Sequence, residues 1–253
     1  SGLSVSYEAI RVGDSLRRVL VSTPQGPRQR RPAVLIIGGI GCYSIDDATA
    51  NDPYRTLAHE LTRRGLIVMR VEKSGVGDSQ GAPCATVDFE TELAGYRAAL
   101  AALRTDRRVD ASQIYLFGHS IGTLGAPLLA QELGAAGVIA AQGLGRTWIE
   151  YELINTRRQI ELAGASPADT DAAMIAKADC IMRALRLRTP VADLFAEAPH
   201  CAQLVGLPAS QDYMAQLTDF NPGAAWAALS APALIIYGAS DFVTDEADHR
   251  REL

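Results

Sequence analysis

The sequence predicts an α/β protein with a doubly wound, mostly parallel sheet and a helical insertion near its C-terminal end. Apolar runs typical of buried strands alternate with helical stretches between residues 33 and 141. Residues 146–225 then carry helical patterns without a convincing strand, and an apolar run returns at 233–237. We therefore divide the chain into a core, residues 1–145 and 226–253, and an inserted helical lid, residues 146–225.

The first part of the chain predicts a hairpin, then two buried strands with a helix between them. Gly13-Asp14 is a two-residue turn signal between strand-like segments. The two later strands are continuous apolar runs, which are typical of strands covered on both faces of a sheet. Asp52 and Pro53 provide the N-cap and the first position of the helix, and Gly65 ends it. The four strands are predicted at residues 5–10, 16–21, 33–37 and 66–71.

The second part continues the alternation and then becomes helical. Residues 86–104 are predicted to be an amphipathic helix because apolar residues recur there at helical spacing. A strand at 114–117 leads through a glycine-rich turn into a helix at 121–133, and a short strand follows at 138–141. Ser166-Pro167 marks the start of a long helix in the insertion. The helices of the insertion are predicted at residues 148–162, 167–187, 191–196 and 211–217.

The turn Gly118-His119-Ser120-Ile121-Gly122 connects the strand at 114–117 to the helix that follows it. This G-x-S-x-G pattern between a strand and a helix predicts a nucleophile elbow, which lifts the Ser120 hydroxyl clear of the sheet. Glycine is needed on both sides of the turn because the backbone passes too close there for a Cβ atom. Ser120 is therefore our candidate nucleophile.

Such a serine requires donors for an oxyanion and a carboxylate that orients its base. One donor is predicted to be the N–H of Ile121, and the second the N–H of Ile40 in the loop after strand 33–37. Each donor of this kind typically contributes about 3–4 kcal/mol to transition-state stabilisation. The acid is assigned to Asp241, which follows the strand at 233–237 and so lies at the same sheet edge as Ser120. Its competitors are interpreted as solvated carboxylates; they are Asp245, Glu246 and Asp248.

The four histidines do not provide an obvious base. His59 lies on the polar side of a helix, and His119 is expected to point away from the Ser120 hydroxyl towards a packing or hydrogen-bonding partner. His200 lies in the insertion. His249 follows the acid but leaves too little chain for the further helix and strand that normally separate the acid from the histidine. We therefore expect either that the sequence is incomplete at its C-terminal end, with the base beyond Leu253, or that the histidine arrives from elsewhere, and we keep His249 as a fallback.

The chain resembles the α/β-hydrolases of the serine-aminopeptidase-like, dienelactone-hydrolase-related esterase group. The resemblance rests on the segments 36–41, 57–79, 118–122 and 232–241. It implies an α/β-hydrolase fold, a helical cap at 146–225, Ser120 as nucleophile, Asp241 as triad acid, and Ile40 and Ile121 as oxyanion donors. Two departures stand out: Glu72 replaces the usual aspartate and is expected to brace its loop, and the last strand and histidine loop of the group are absent.

The resulting hypothesis is a serine esterase that cleaves carboxylic esters through an acyl-enzyme on Ser120. The insertion is expected to supply an apolar acyl pocket, or only packing, from Trp148, Tyr151, Ile154, Tyr213 and Met214. The alternatives are a peptidase or thioesterase with the same nucleophile, or a non-catalytic binding module with this fold. A peptidase needs a carboxylate near the lid for the substrate amine, for which the candidates are Glu150, Glu152 and Glu161.

Composition limits the other function classes. The formal net charge is −5, which gives no indication of nucleic acid or an anionic membrane as a partner. No apolar run approaches the roughly 20 residues of a membrane span. The four cysteines have no C-x-x-C spacing, so we expect neither a metal nor a cofactor and leave free thiols and disulfides open. The chain begins without methionine, so a cytoplasmic and an exported location both stay open, as does the oligomeric state.

Overall fold

The core of the molecule is a seven-stranded sheet in the order β1-β2-β4-β3-β5-β6-β7. The computed structural model describes residues 2–27, 29–46 and 52–252. Strands β1 and β2 form the predicted antiparallel hairpin, β2 also pairs antiparallel with β4, and the remaining neighbours are parallel. The strands are Leu3–Val12 (β1), Ser15–Pro24 (β2), Arg31–Ile37 (β3), Ile67–Val71 (β4), Val109–His119 (β5), Gly137–Ala141 (β6) and Ala233–Ile236 (β7).

Helices cover both faces of the sheet, as a doubly wound topology requires. One face carries α1, whose residue Ala58 packs with Val34, Ile36 and Val68. The other face carries α2 and α3 within one large apolar core. The first three helices are Pro53–Arg63 (α1), Phe89–Thr105 (α2) and Gly122–Leu133 (α3). The predicted α/β architecture is thereby confirmed.

Capping residues explain where the helices begin. The Asp52 carboxylate accepts the N–H of Tyr54, so α1 starts at Pro53 as predicted. Asp88 caps the N–H of Thr91 in the same way, so α2 starts at Phe89, three residues later than the apolar spacing suggested. The cap decides the boundary because it satisfies a backbone donor that the helix itself leaves open.

The chain between β6 and β7 folds into six α-helices within the described residues, and the π-helical turn Met182–Arg186 follows the second of them. Four of them follow the predicted segments closely, whereas two short ones were not predicted. The six are Trp148–Leu162 (α4), Pro167–Ile181 (α5), Val191–Glu197 (α6), Cys201–Leu204 (α7), Gln211–Asp219 (α8) and Pro222–Ala227 (α9). Among the described residues, no helix is long and apolar enough to cross a membrane.

All four cysteines form disulfides, which settles a question that the sequence left open. Cys42 is joined to Cys84, and Cys180 to Cys201. The first bond joins the loop after β3 to the short helical turn Cys84–Thr86, and the second ties α5 to α7. Both bonds therefore constrain segments that lie at the carboxyl edge of the sheet or in the insertion above it.

The described sheet ends at β7. Its side chains Leu234 and Ile236 are exposed by 56% and 46%, respectively. After Asp241 the chain turns into the short helix Glu246–His249 (α10) and the 3₁₀ turn Arg250–Glu252. The first turn of α10 holds a reciprocal capping box between Asp245 and Asp248.

Candidate active site

The elbow has the strained geometry that its sequence predicts. Strand β5 ends at His119, α3 begins at Gly122, and Ser120 between them has a φ of 53°. A Cβ at Gly118 would lie 2.5 Å from the Gly122 carbonyl oxygen, and one at Gly122 would run into the Ile37 carbonyl. The Ser120 N–H donates to Ala141 O of the neighbouring strand at 2.9 Å. The turn therefore fixes Ser120 at the carboxyl edge of the sheet.

Both predicted oxyanion donors lie beside Ser120. Ile40 and Ile121 line the same cavity as Ser120. Within the described part of the chain, neither backbone N–H donates a hydrogen bond to another group. An N–H at the start of a helix and one in a glycine-rich loop are suited to bind a developing negative charge.

Three tyrosines hold the loop that carries Ile40. The Tyr96 hydroxyl accepts the Gly38 N–H at 3.1 Å, and the Tyr54 hydroxyl accepts the Gly39 N–H at 2.9 Å. The Tyr43 hydroxyl donates to the Gly39 carbonyl at 3.0 Å. Burial raises the pKa of all three phenols, so they stay protonated as neutral donors and acceptors.

Asp241 is held with one oxygen fixed and the other near the cavity. Its Oδ1 accepts the backbone N–H groups of Val243 and Thr244 at 2.8 and 3.2 Å. Its Oδ2 accepts only longer bonds, at 3.3 Å each, from Gln142 Nε2 and Thr244 Oγ1. Asp241 lines the same cavity as Ser120.

The other carboxylates near Asp241 have structural partners. Asp248 is buried and pairs with Arg146 and Arg158, so interpreting it as a solvated carboxylate was wrong. The error arises because Arg146, just before helix α4, and Arg158, within it, are partners that the local sequence does not reveal. Asp245 caps α10 and pairs with Arg158 at 2.6 Å.

Neither histidine nearest the site is free to act on Ser120. The fallback His249 is wrong: its ring is buried, its Nε2 accepts the Gly143 N–H at 2.9 Å and its Nδ1 lies 2.7 Å from Asp245 O. Both nitrogens of His119 are also engaged, Nδ1 with the Tyr54 hydroxyl at 2.6 Å and Nε2 with Gln142 at 2.9 Å. This agrees with the expectation that His119 serves hydrogen bonding rather than catalysis.

The two remaining histidines lie elsewhere. His59 sits in a separate cleft with Arg55 and Arg70, and burial together with these cations lowers the pKa of its imidazole. His200 lies 3.8 Å from the sulfur of Cys201 in the insertion. Within the described residues, no imidazole is hydrogen-bonded to the Ser120 hydroxyl.

The cavity above Ser120 has a volume of about 390 Å³ and a largely apolar wall. Helix α4 contributes Trp148 and Tyr151, whose ring centroids are 5.2 Å apart, and the insertion also contributes Pro208. Burial raises the pKa of Tyr151 to about 12, so its phenol is neutral at physiological pH. Ile154 is not among the lining residues.

Tyr213 and Met214 do not belong to the cavity, contrary to one expectation from the sequence. Both are buried in the core, where the Tyr213 ring packs edge-on against Phe89 at 5.5 Å. Helix α8 lies against α2, so its apolar side is covered by the core. Periodicity identified the apolar side of this helix but could not say which surface covers it.

Residues 32–162, more than half of the chain, match the family model for serine aminopeptidase, S33. The chain belongs to this family. Esterase EstD of Thermotoga maritima is 25% identical over 219 residues, which cover 86% of this chain and 48% of that protein. The chain thus spans about half the length of this curated relative.

Solved structures confirm the α/β-hydrolase fold of this S33-family chain. The Pyrococcus furiosus esterase Pf2001 aligns with a TM-score of 0.59 and 13% identity, over 99% of this chain and 77% of that one. The α/β hydrolase GrgF from Penicillium sp. sh18 gives 0.62 and 18%, over 98% and 85%. Est1E from Butyrivibrio proteoclasticus, with ferulic acid bound, gives 0.61 and 15%, over 95% and 82%.

Three carboxylates of α4 were candidates for binding a substrate amine. Glu152 lines the cavity, but its Oε2 accepts the buried Lys177 ammonium at 2.7 Å. Glu150 pairs with Arg146 at 2.7 Å, and Glu161 with Arg157 at 3.5 Å. Each of the three carboxylates proposed for a substrate amine is therefore already paired with a cation.

Two residues at the candidate site, Gln142 and Lys73, were not predicted from the sequence. Gln142 adopts a φ of 53° directly after β6 and bridges His119 to Asp241. Lys73 reaches the Ile40 loop from the segment after β4, where it contacts the Gly39 carbonyl. No sequence pattern pointed to Gln142, whereas Lys73 is one of only two lysines in the chain.

One residue group in the described chain has metal-ligand proximity, namely Cys180, His200 and Cys201. Its two sulfurs are joined to each other in a disulfide, and a disulfide sulfur is not the thiolate that binds metals. Glu72, which replaces the family's usual aspartate, accepts bonds from Arg18 and Ser44 and so braces its loop as expected.

Proposed function

We propose that the chain is the core of a serine hydrolase that cleaves carboxylic esters. One observation carries the proposal: Ser120, in the strained elbow conformation, lines an apolar-walled cavity together with Asp241, Ile40 and Ile121. Among the described residues, the N–H groups of Ile40 and Ile121 have no hydrogen-bond acceptor. These are the nucleophile, the oxyanion site and the orienting acid of acyl transfer. The esterase relative from Thermotoga maritima supports the same reaction class.

In the proposed mechanism, Ser120 Oγ forms a bond to the substrate carbonyl carbon while a histidine takes the hydroxyl proton. The N–H groups of Ile40 and Ile121 stabilise the resulting oxyanion. The C–O bond to the alcohol then breaks, and the histidine returns its proton to the leaving oxygen. Water adds to the acyl-enzyme by the same proton transfers and releases the carboxylic acid.

We propose that the histidine comes from outside the described residues. The imidazoles of His119 and His249 are committed to other partners, whereas Asp241 lines the cavity and its Oδ2 accepts only bonds of 3.3 Å. The insertion at 146–225 acts as the lid, with Trp148 and Tyr151 against the acyl chain. An apolar wall of this kind favours an uncharged acyl group.

An aminopeptidase is the second candidate because the family is described by that activity. It would need a carboxylate free to bind the substrate's ammonium, and Glu152 is already neutralised by Lys177. We therefore favour esters. Assaying an aryl ester and the anilide of the same acid on one preparation distinguishes the two, because an aminopeptidase hydrolyses the anilide of an amino acid.

A non-catalytic binding module is the third candidate, supported by the absence of an imidazole bonded to Ser120 among the described residues. A fluorophosphonate probe tests it in the full-length gene product. We expect the wild type to be labelled and Ser120→Ala not to be. Ser112→Ala is the matched control, since Ser112 is an exposed serine hydrogen-bonded to Asp110. An unlabelled wild-type protein that is folded would refute the hydrolase proposal.

A further inference from the structure

A buried ammonium lies beneath the loop that carries the Ile40 N–H. Lys73 is 4% exposed, and its Nζ donates to the Gly39 carbonyl at 2.7 Å and to Glu92 Oε1 at 2.9 Å. The same Nζ lies 5.2 Å from the centre of the Tyr43 ring, and the Tyr43 hydroxyl donates to the same Gly39 carbonyl. Two donors therefore converge on one carbonyl oxygen.

That carbonyl belongs to the peptide unit whose N–H is the proposed oxyanion donor. The Gly39 C=O and the Ile40 N–H share one planar trans peptide, so they point in opposite directions. Fixing the carbonyl towards Lys73 and Tyr43 therefore fixes the N–H on the side away from them. Ile40 lines the cavity of Ser120, which is where this N–H is required.

The charge of Lys73 also strengthens the donor. A hydrogen bond from an ammonium to a carbonyl polarises the amide, and polarisation passes along a chain of hydrogen bonds in a low-dielectric interior. An ammonium on the oxygen side of a peptide thus makes its N–H a better donor to a developing oxyanion. Lys73 acts through the peptide and does not itself reach the reacting atoms.

Burying the Lys73–Glu92 ion pair in the core carries a large desolvation penalty. Burying Lys73 and Glu92 removes two charges from water, and replacing such a pair by apolar residues often leaves a protein equally or more stable. Packing alone therefore explains the pair poorly. A functional requirement for a fixed positive charge beside the Gly39 carbonyl explains the buried pair better.

We propose that Lys73 is a positioning residue of the oxyanion site, which orients and polarises the Gly39–Ile40 peptide and is neutralised by Glu92. The proposal rests on the proposed function, since it assigns Lys73 a role in stabilising the oxyanion formed by attack of Ser120. It extends that function to a residue 33 positions away in sequence from Ile40.

The test is Lys73→Met in the full-length gene product, with activity expressed per serine that a fluorophosphonate can titrate. We expect kcat on a short-chain aryl ester to fall by about 10–100-fold, somewhat less than for loss of a whole oxyanion donor. KM should stay within about threefold, since the ground-state carbonyl carries little charge. The Ki of phenylboronic acid, which forms a tetrahedral adduct with the serine, should rise in parallel with the fall in kcat.

A purely structural role would give a different pattern. It would lower the melting temperature and the number of titratable serines, yet leave kcat per serine and the boronate Ki unchanged. Arg70→Met is the matched control, because Arg70 is also a buried cation holding a carbonyl, that of Ile45 at 2.8 Å, outside the cavity. We expect it to lower stability and to keep kcat per serine within about threefold of the wild type, as for residues remote from the site.

Tyr43→Phe is the second variant if Lys73→Met does not fold. It removes the other donor to the Gly39 carbonyl, so kcat should fall by about 3–10-fold with a parallel rise in the boronate Ki. If Lys73→Met folds, unchanged kcat and Ki in that variant would overturn the proposal while leaving the esterase function intact. If it does not fold, unchanged kcat and Ki in Tyr43→Phe would do the same. A wild type that neither reacts with the probe nor hydrolyses esters would overturn both.

Discussion

Ser120 occupies a backbone region that residues other than glycine seldom adopt, and its neighbours allow this conformation by having no side chain. Such a residue typically costs about 1–3 kcal/mol, which the surrounding structure must offset. The Ala141 carbonyl holds its N–H, and the backbone of α3 closes over Gly118. The strained conformation of Ser120 is thus maintained by packing that leaves no room for a Cβ at the neighbouring Gly118.

The tightness of this turn can be measured with one glycine. Gly122→Ala would place a methyl group against the carbonyls of Ile37 and Gly38, so we expect a loss of about 3 kcal/mol or more in the free energy of unfolding. Gly206→Ala is the control, because nothing lies within 4 Å of its added Cβ; we expect at most about 1 kcal/mol, and in the stabilising direction. Urea unfolding measures both, and equal stabilities would contradict the geometry of the elbow.

Glu252 predicts a pH dependence of stability. Burial, and then Asp248, raise the pKa of this carboxyl from 4.5 to about 8, and neither of its oxygens has a hydrogen-bond partner among residues 2–27, 29–46 and 52–252. The folded state therefore holds a proton that the unfolded state releases, so the stabilising contribution is complete below pH 4.5 and is lost as pH rises through about 8. We expect the free energy of unfolding to fall across this range by on the order of a few kcal/mol.

Glu252→Gln isolates this contribution, since the amide is neutral at every pH. The variant should lack the decline between pH 4.5 and 8 and should be more stable than the wild type above it. Thermal melts at closely spaced pH values measure the difference. Parallel pH profiles for the two proteins would show that Glu252 is ionised in the folded state.

At the level of elements, the sequence predicted what local patterns determine. The two-residue turn at Gly13-Asp14, the cap at Asp52 and the elbow at Ser120 each depend on neighbours in the chain, and all three appear where they were expected. All seven strands lie where they were predicted. The hairpin strands β1 and β2 were marked by their turn signal, and the parallel strands by short apolar runs bounded by polar or glycine-rich loops.

What the sequence did not predict depends on contacts between distant segments. Tyr213 lies in an amphipathic helix, but its place in the core follows from the approach of α8 to α2. Lys73 meets Gly39 only because β3 and β4 are neighbours in the sheet. Asp248 is buried beside two arginines from a distant segment, Arg146 just before α4 and Arg158 within it. Such tertiary pairings have no local signature.

Helices α4 and α5 meet through an ion pair that includes Glu152, a residue of the cavity wall. Lys177 on α5 neutralises Glu152 on α4, so Lys177→Met should leave a negative charge in the wall. We expect the ratio of kcat/KM for a choline ester to that for its neutral carbon isostere to rise by about 5–10-fold, the effect of about 1 kcal/mol of charge attraction. Both esters are assayed on the same preparation, which cancels any loss of folded protein.

The double variant Glu152→Gln, Lys177→Met is the control for this prediction. It removes both charges, so the preference for the cationic ester should return to that of the wild type. A raised ratio in the double variant would mean that the charge of Glu152 is not the cause. An unchanged ratio in Lys177→Met would mean that the ester's cationic group does not approach Glu152.

At the scale of the whole molecule, two disulfides join segments that lie far apart in the chain. They close loops of 42 and 21 residues, for which chain entropy predicts stabilisation of about 4 and about 3 kcal/mol, respectively. The two bonds are therefore nearly equal in this respect. They differ in position, since Cys42 directly follows the glycine-rich loop that carries Ile40, whereas Cys180 and Cys201 lie within the insertion.

This difference predicts separate effects of removing each bond. Replacing Cys42 and Cys84 by serine should lower the melting temperature and also reduce kcat per titratable serine by about 3–10-fold, because the Gly38–Gly41 loop loses a fixed end and the Ile40 N–H loses its preorganisation. Replacing Cys180 and Cys201 should lower the melting temperature by a similar amount and leave kcat per titratable serine unchanged. Each double variant is thus the matched control for the other, and equal losses of kcat in both would show that the first disulfide has no special part in holding the oxyanion loop.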